Sequence, residues 1–137
     1  MGLYLCVFDE GEDVEGIDCG GYSDWNAFIA AVVEHVEHGQ RGTRVPLLTM
    51  HSDSDGEWSP AECVVLERAL DEIEAVFRRQ PAQPPRDGWR AQVAADLELQ
   101  FDSLWDCFFD VDGENLIERL RGLAKLALDR DRPIRFQ

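Results

Sequence analysis

Ten consecutive residues, His51-Ser52-Asp53-Ser54-Asp55-Gly56-Glu57-Trp58-Ser59-Pro60, concentrate most of the side chains in this chain that could do chemistry. Two readings are open. As a calcium loop, the run puts His51 at position 1, Asp53 and Asp55 at 3 and 5, Gly56 at 6, Glu57 at 7, Ser59 at 9 and Glu62 at 12, the EF-hand spacing of oxygen ligands around a sharp turn. The metal-ligand candidates are then Asp53, Asp55, Glu57 and Glu62. Imidazole is a poor first ligand for a hard cation, and Pro60 is out of place inside such a loop. As a helix entrance, the same run makes Ser59 the N-cap, Pro60 the first helical residue and Glu62 the partner that reaches back to the cap amide. Trp58 then packs on Cys63 as a hydrophobic staple, and no ligand is needed.

Catalysis has little to build on. His51 beside Asp53 and Asp55 is the one concentrated acid–base cluster. The chain has no Gly-rich phosphate loop, G-x-S-x-G elbow, H-E-x-x-H or C-x-x-C pattern. A nucleophile, a base and a stabilising group are not found together, so a non-enzymatic protein is expected. Two more histidines, His35 and His38, share a helix without a third ligand, and no cofactor is expected.

Charge says more. The chain has 28 acidic and 13 basic side chains, a net charge of −15. No Lys or Arg precedes Arg41, and a second base-free stretch runs from Asp96 to Glu118. Such a surface repels nucleic acid and anionic membranes, and it attracts basic proteins. No apolar run is long enough to span a bilayer, and Met1 to Asp9 has neither a basic region nor a cleavage site, so a cytoplasmic protein is expected. Cys6, Cys19, Cys63 and Cys107 lie far apart among apolar neighbours, which favours buried thiols over disulfides.

The elements that must position these residues form a single domain over residues 1–137. Leu3–Phe8 reads as a buried strand, Asp9–Gly16 as a loop, and Ile17–Tyr22 as a short returning strand. Ser23 caps a helix over Asp24–His38, stopped by Gly39. Val45–Met50 supplies a strand, and Pro60–Arg79 a helix with Cys63, Leu66, Leu70, Ile73 and Phe77 inward. After a proline-rich connector, Trp89–Leu97 is a helix and Ser103–Phe109 an aromatic-rich turn. Asp112 caps a last helix over Gly113–Asp129, and Ile134–Gln137 is a terminal strand. The fold expected is α+β, a small and mostly antiparallel sheet of roughly three or four strands packed with about four helices. Asp110-Val111-Asp112-Gly113-Glu114 echoes Asp53 to Glu57, but Phe108 and Arg119 stand at its first and twelfth positions, so it is no second calcium loop.

Three blocks carry a resemblance. They are Met1-Gly2-Leu3-Tyr4-Leu5 with Gly21-Tyr22-Ser23-Asp24, the His51 to Pro60 run, and Asp110 to Glu114 followed by Leu116, Glu118, Arg119, Leu120 and Pro133-Ile134-Arg135-Phe136-Gln137. Together they resemble the bacterial polymorphic-toxin immunity proteins, most closely the group called immunity protein 70. The resemblance implies a cytoplasmic, non-enzymatic inhibitor whose partner is the C-terminal domain of a cognate toxin, with no role for nucleic acid or membrane. The physics of interfaces then selects Asp53, Asp55, Glu57 and Trp58, joined by Asp110, Asp112 and Glu114, as the partner-binding residues, because acidic rims steer while an aromatic anchor adds affinity. The alternative is a calcium-responsive acidic module using the loop 51–62.

Overall fold

A computed structural model describes residues 2–137. β1 (Gly2–Asp9) and β2 (Glu12–Gly21) form a hairpin. Its two turn residues, Glu10 and Gly11, have φ of 54° and 81°, the backbone twist that joins antiparallel strands most readily. The expected loop Asp9–Gly16 is therefore mostly strand. Its acids suggested a loop, yet β2 is an edge strand, where charged side chains reach water at no cost. α1 follows at Tyr22–His35. Its N-cap is Gly21 and not Ser23, because the Asp24 carboxylate reaches back to accept the Gly21 N–H at 2.8 Å. The helix is closed by His38 and Gly39, both at positive φ, with the Gly39 N–H donating to the Val33 carbonyl at 2.8 Å.

The strand expected at Val45–Met50 is instead a one-turn helix, α2 (Pro46–Thr49), with Pro46 at its first position. The cause lies upstream. Glu37 is 1% exposed, and its carboxylate accepts the N–H groups of Gly42, Arg44 and Val45 at 2.9, 3.1 and 3.0 Å and the Thr49 hydroxyl at 3.1 Å. One buried anion thus folds the whole 42–49 segment around itself and denies it a sheet partner.

A two-residue strand, β3 (Glu57–Trp58), leads into α3 (Pro60–Phe77). Cys63, Leu66, Leu70, Ile73 and Phe77 are all buried, as the period of the sequence requires. α4 (Gly88–Asp96) has no buried residue. A single 3₁₀ turn at Leu104–Cys107 buries Leu104 and Trp105. α5 (Leu116–Arg130) is capped by Asn115, whose Oδ1 accepts the Glu118 N–H at 3.0 Å; Asp112, the expected cap, lies in the turn before it. β4 (Ile134–Phe136) ends the chain's regular structure.

The four strands are all antiparallel, in the order β2-β1-β4-β3. This single α+β domain packs α1, α3 and α5 on one face of the sheet. Leu3, Leu5, Val7, Ile17, Ile134 and Phe136 share one core with the inward residues of α1, α3 and α5. Leu3–Phe8, expected as a buried strand, buries Leu3, Leu5, Cys6 and Val7, whereas Tyr4 and Phe8 stay half-exposed and outside that core. The four cysteines are free and buried. No helix among the described residues is long and apolar enough to cross a membrane.

Candidate functional site

The His51–Pro60 run folds as a loop wrapped around an imidazole. The His51 ring stacks on Phe136 with centroids 4.1 Å apart and meets Trp58 edge-on at 5.4 Å. Its Nδ1 lies 2.8 Å from the Ser52 carbonyl oxygen and its Nε2 lies 3.3 Å from that of Glu57. Both ring nitrogens therefore face acceptors inside the loop. Gly56, at φ 89°, lets the chain pass close to the ring, since a Cβ there would come within 3.2 Å of His51 Cε1. The Gly56 carbonyl accepts the Phe136 N–H at 3.0 Å and ties the loop to β4.

Trp58 points inward from β3. It is 0% exposed, packs edge-on against Phe136 at 4.7 Å, and donates its indole N–H to the Leu47 carbonyl at 3.1 Å. The two roles open to it are thereby decided geometrically. A side chain with no exposed surface is a core anchor, so the expectation of Trp58 as a contact for a partner is corrected. Ser59 and Glu62 form the reciprocal capping pair, with Glu62 N–H to Ser59 Oγ at 3.1 Å and Ser59 N–H to Glu62 Oε1 at 3.0 Å.

Capping occupies one carboxylate oxygen of Glu62. Asp53 accepts a hydrogen bond from Asn26 Nδ2 at 2.8 Å. Among the described residues, no three His, Cys, Asp or Glu side chains gather to hold a metal. The set Asp53, Asp55, Glu57 and Glu62 is not brought together, and the short helix before the loop is no EF-hand entrance. Of the residues at calcium-loop spacing, Ser59 and Glu62 form the cap.

The second acidic run does a different job. Asp110 is 1% exposed. Its Oδ1 accepts the N–H groups of Asp112 and Glu114, each at 3.0 Å, which closes the turn. Its Oδ2 accepts Arg119 Nε at 3.1 Å, and Arg119 Nη2 in turn donates to the Gly16 carbonyl at 2.7 Å. The Val111 N–H donates to the Asp18 carbonyl at 3.2 Å. This turn therefore covers part of the free edge of β2, the usual liability of an edge strand. Asp110, like Trp58, is structural and unreachable from solvent. The acids left with no side-chain hydrogen bond or ion pair among the described residues are Asp55, Glu57, Asp112 and Glu114, all exposed.

The model of the family described as Immunity protein 70 matches residues 3–136. The chain belongs to the immunity protein 70 family. No curated protein matches it, and no solved structure does. Family membership implies an inhibitor of a protein toxin that works without catalysis.

Two features escaped sequence reasoning. Glu37 counted there only as one more surface acid, and nothing local marks it, because its partners lie five to twelve positions downstream. The half-exposed Tyr4 and Phe8 did leave a signal: they alternate with Leu3, Leu5 and Val7, the period of a strand with two unlike faces.

Proposed function

We propose that this protein binds the toxin domain of a cognate polymorphic toxin in the cytoplasm of the producing cell and neutralises it by occlusion. The family match over residues 3–136 carries the reading. The charge of −15 supports it, because a strongly acidic protein associates fast with a basic one and is held away from nucleic acid and anionic lipid. In this reading Asp53, Asp55, Glu57, Asp112 and Glu114 contribute the steering field, with the free carboxylates of the last four reaching solvent. Trp58 and Asp110 hold the two loops that present them.

The test is co-expression. The C-terminal domain of the toxin encoded beside this chain is induced in a sensitive host with and without it. Survival only with the chain, and a complex that co-purifies, are the expected results; killing that continues without a complex overturns the proposal.

A further inference from the structure

The core helices α1, α3 and α5 pack on one face of the sheet, and the other face has an unusual composition. In an antiparallel sheet with one face in water, the outward positions are normally polar. Here β1 places Tyr4, Cys6 and Phe8 outward; Cys6 is fully buried beneath its neighbours, while Tyr4 and Phe8 are half-exposed, and none of the three belongs to the core. The Tyr4 hydroxyl donates to Asp13 Oδ2 at 2.9 Å, which lays the ring across Gly16. Burial and the Asp13 carboxylate push this phenol up to about 12, so it remains a donor at neutral pH. Beside Phe8, the hairpin tip and the start of β4 enclose a concavity of about 530 Å³, bordered by Glu10, Arg132, Pro133 and Arg135. The helices α1, α3 and α5 all join the core on the opposite side.

The charges on this face identify the occupant. Asp13 lies on it through Tyr4, Asp18 through its register opposite Tyr4, and Glu57 through its register opposite Arg135. Glu10 stands at its rim. Against these carboxylates the face has one guanidinium without a carboxylate partner among the described residues, Arg135; Arg132 and the nearby Arg130 are both held by Asp9 at 3.1 Å. Two copies meeting through this face would bring carboxylates onto carboxylates, which opposes association. A basic protein surface would meet aromatic rings at the centre and acids around them, the arrangement of an energetic core inside a steering rim.

We infer that the face of the sheet opposite the core helices is the surface that receives the toxin domain, with Phe8 as its apolar anchor and Glu10, Asp13 and Glu57 pairing with Lys or Arg of the toxin. This rests on the reading of the chain as a toxin inhibitor. It moves the aromatic anchor from Trp58, which is buried, to Phe8 and Tyr4, and it gives Glu57 a place on the same face.

Calorimetric titration of the full chain with the toxin domain encoded beside it tests the assignment. The variants are Phe8→Ala, the pair Glu10→Lys/Glu57→Lys, and a control pair on the helical side, Glu34→Lys/Asp129→Lys, each checked for folding by circular dichroism. Phe8→Ala is expected to weaken binding about thirtyfold, the scale of an interface anchor. The charge-reversed pair, at exposed positions, is expected to weaken it at least tenfold and to reduce its salt dependence, while the control pair stays within about threefold of the parent. If the parent binds and both face variants bind as tightly, this surface is wrong and the inhibitor reading stands. If the parent binds no toxin domain, both fall. A parent that sediments as a dimer disrupted by Phe8→Ala would assign the face to a second copy and overturn the inference.

Discussion

Replacing Glu37 by Ala removes a carboxylate around which eight residues are arranged. Four donors lose their acceptor: the N–H groups of Gly42, Arg44 and Val45 and the Thr49 hydroxyl. Arg44 lies on the surface and Gly42 only partly below it, so water replaces much of what those two lose. Thr49 retains a bond to the Val45 carbonyl at 3.2 Å. The Val45 N–H is buried and left with nothing, which costs about 1–3 kcal/mol. Charge-assisted bonds lost at the other positions add about 1 kcal/mol, giving a total of roughly 3 kcal/mol. With an unfolding entropy of about 2.1 cal/mol/K per residue over 137 residues, the melting temperature should fall by about 10 °C. Glu37→Gln retains one oxygen for the Arg44, Val45 and Thr49 side and turns an amide NH₂ towards Gly42. It should lose about half as much. Thermal and urea unfolding followed by circular dichroism measure both. A Glu37→Ala variant within about 0.5 kcal/mol of the parent would refute the argument, as would equal losses for the two variants. The pH dependence follows with a definite sign. Burial would raise this carboxyl, but the backbone donors of Val45, Gly42 and Arg44 and the Thr49 hydroxyl outweigh it and hold it below the usual range. A depressed folded value means stability that is present above the unfolded value of about 4.3 and is lost as pH falls through the folded one. The parent should therefore lose more stability than Glu37→Gln between about pH 4.5 and pH 3.

Asp110→Ala should cost about 3 kcal/mol in urea unfolding, because it frees two turn N–H groups and leaves Arg119 without its buried partner; Asp110→Asn, which keeps the turn-closing oxygen, should cost less. Trp58→Ala should cost about 3–5 kcal/mol and Trp58→Phe markedly less, so a Trp58→Ala variant that retained parental stability would contradict its full burial. The four thiols should be silent to a thiol reagent in the native protein and count as four after denaturation, because burial pushes Cys6 and Cys63 up to about 11 and Cys19 to about 12. Calcium at millimolar concentration should leave the melting temperature unchanged; a rise of several degrees would restore the loop 51–62 as a metal site.

What was legible in the sequence was whatever is decided within a few residues. The Ser59, Pro60 and Glu62 cap is local chemistry, and it is present as expected. The stripes of α3 and the inward leucines of α5 follow from period alone. The failures share one cause, a distant partner. Val45–Met50 has the composition of a strand, and the buried carboxylate of Glu37, just beyond the end of α1, bends it into α2. Glu12 to Glu15 has the composition of a loop, and pairing with β1 makes it strand. Asp112 has the type of a cap, and Asn115 takes the position because Asp110 closes a turn around Asp112 first.

The same logic separates structure from function within the two acidic echoes. Each contains one member whose burial explains its presence completely, Trp58 at the first and Asp110 at the second. Those members are what make the loops rigid, and a rigid loop holds its remaining carboxylates in place at low entropic cost. The runs sit beyond opposite edges of the sheet: Glu57 lies in β3, whereas the Val111 N–H bonds to the outer side of β2. From β3 to the turn beyond β2 is four spacings of about 4.8 Å, a span of roughly 19 Å, within the footprint of one ordinary protein interface. A similar motif at two places therefore need not mean two sites. Between the two edges lies the face with Tyr4 and Phe8, and a single basic partner seated there would be within reach of both acidic edges.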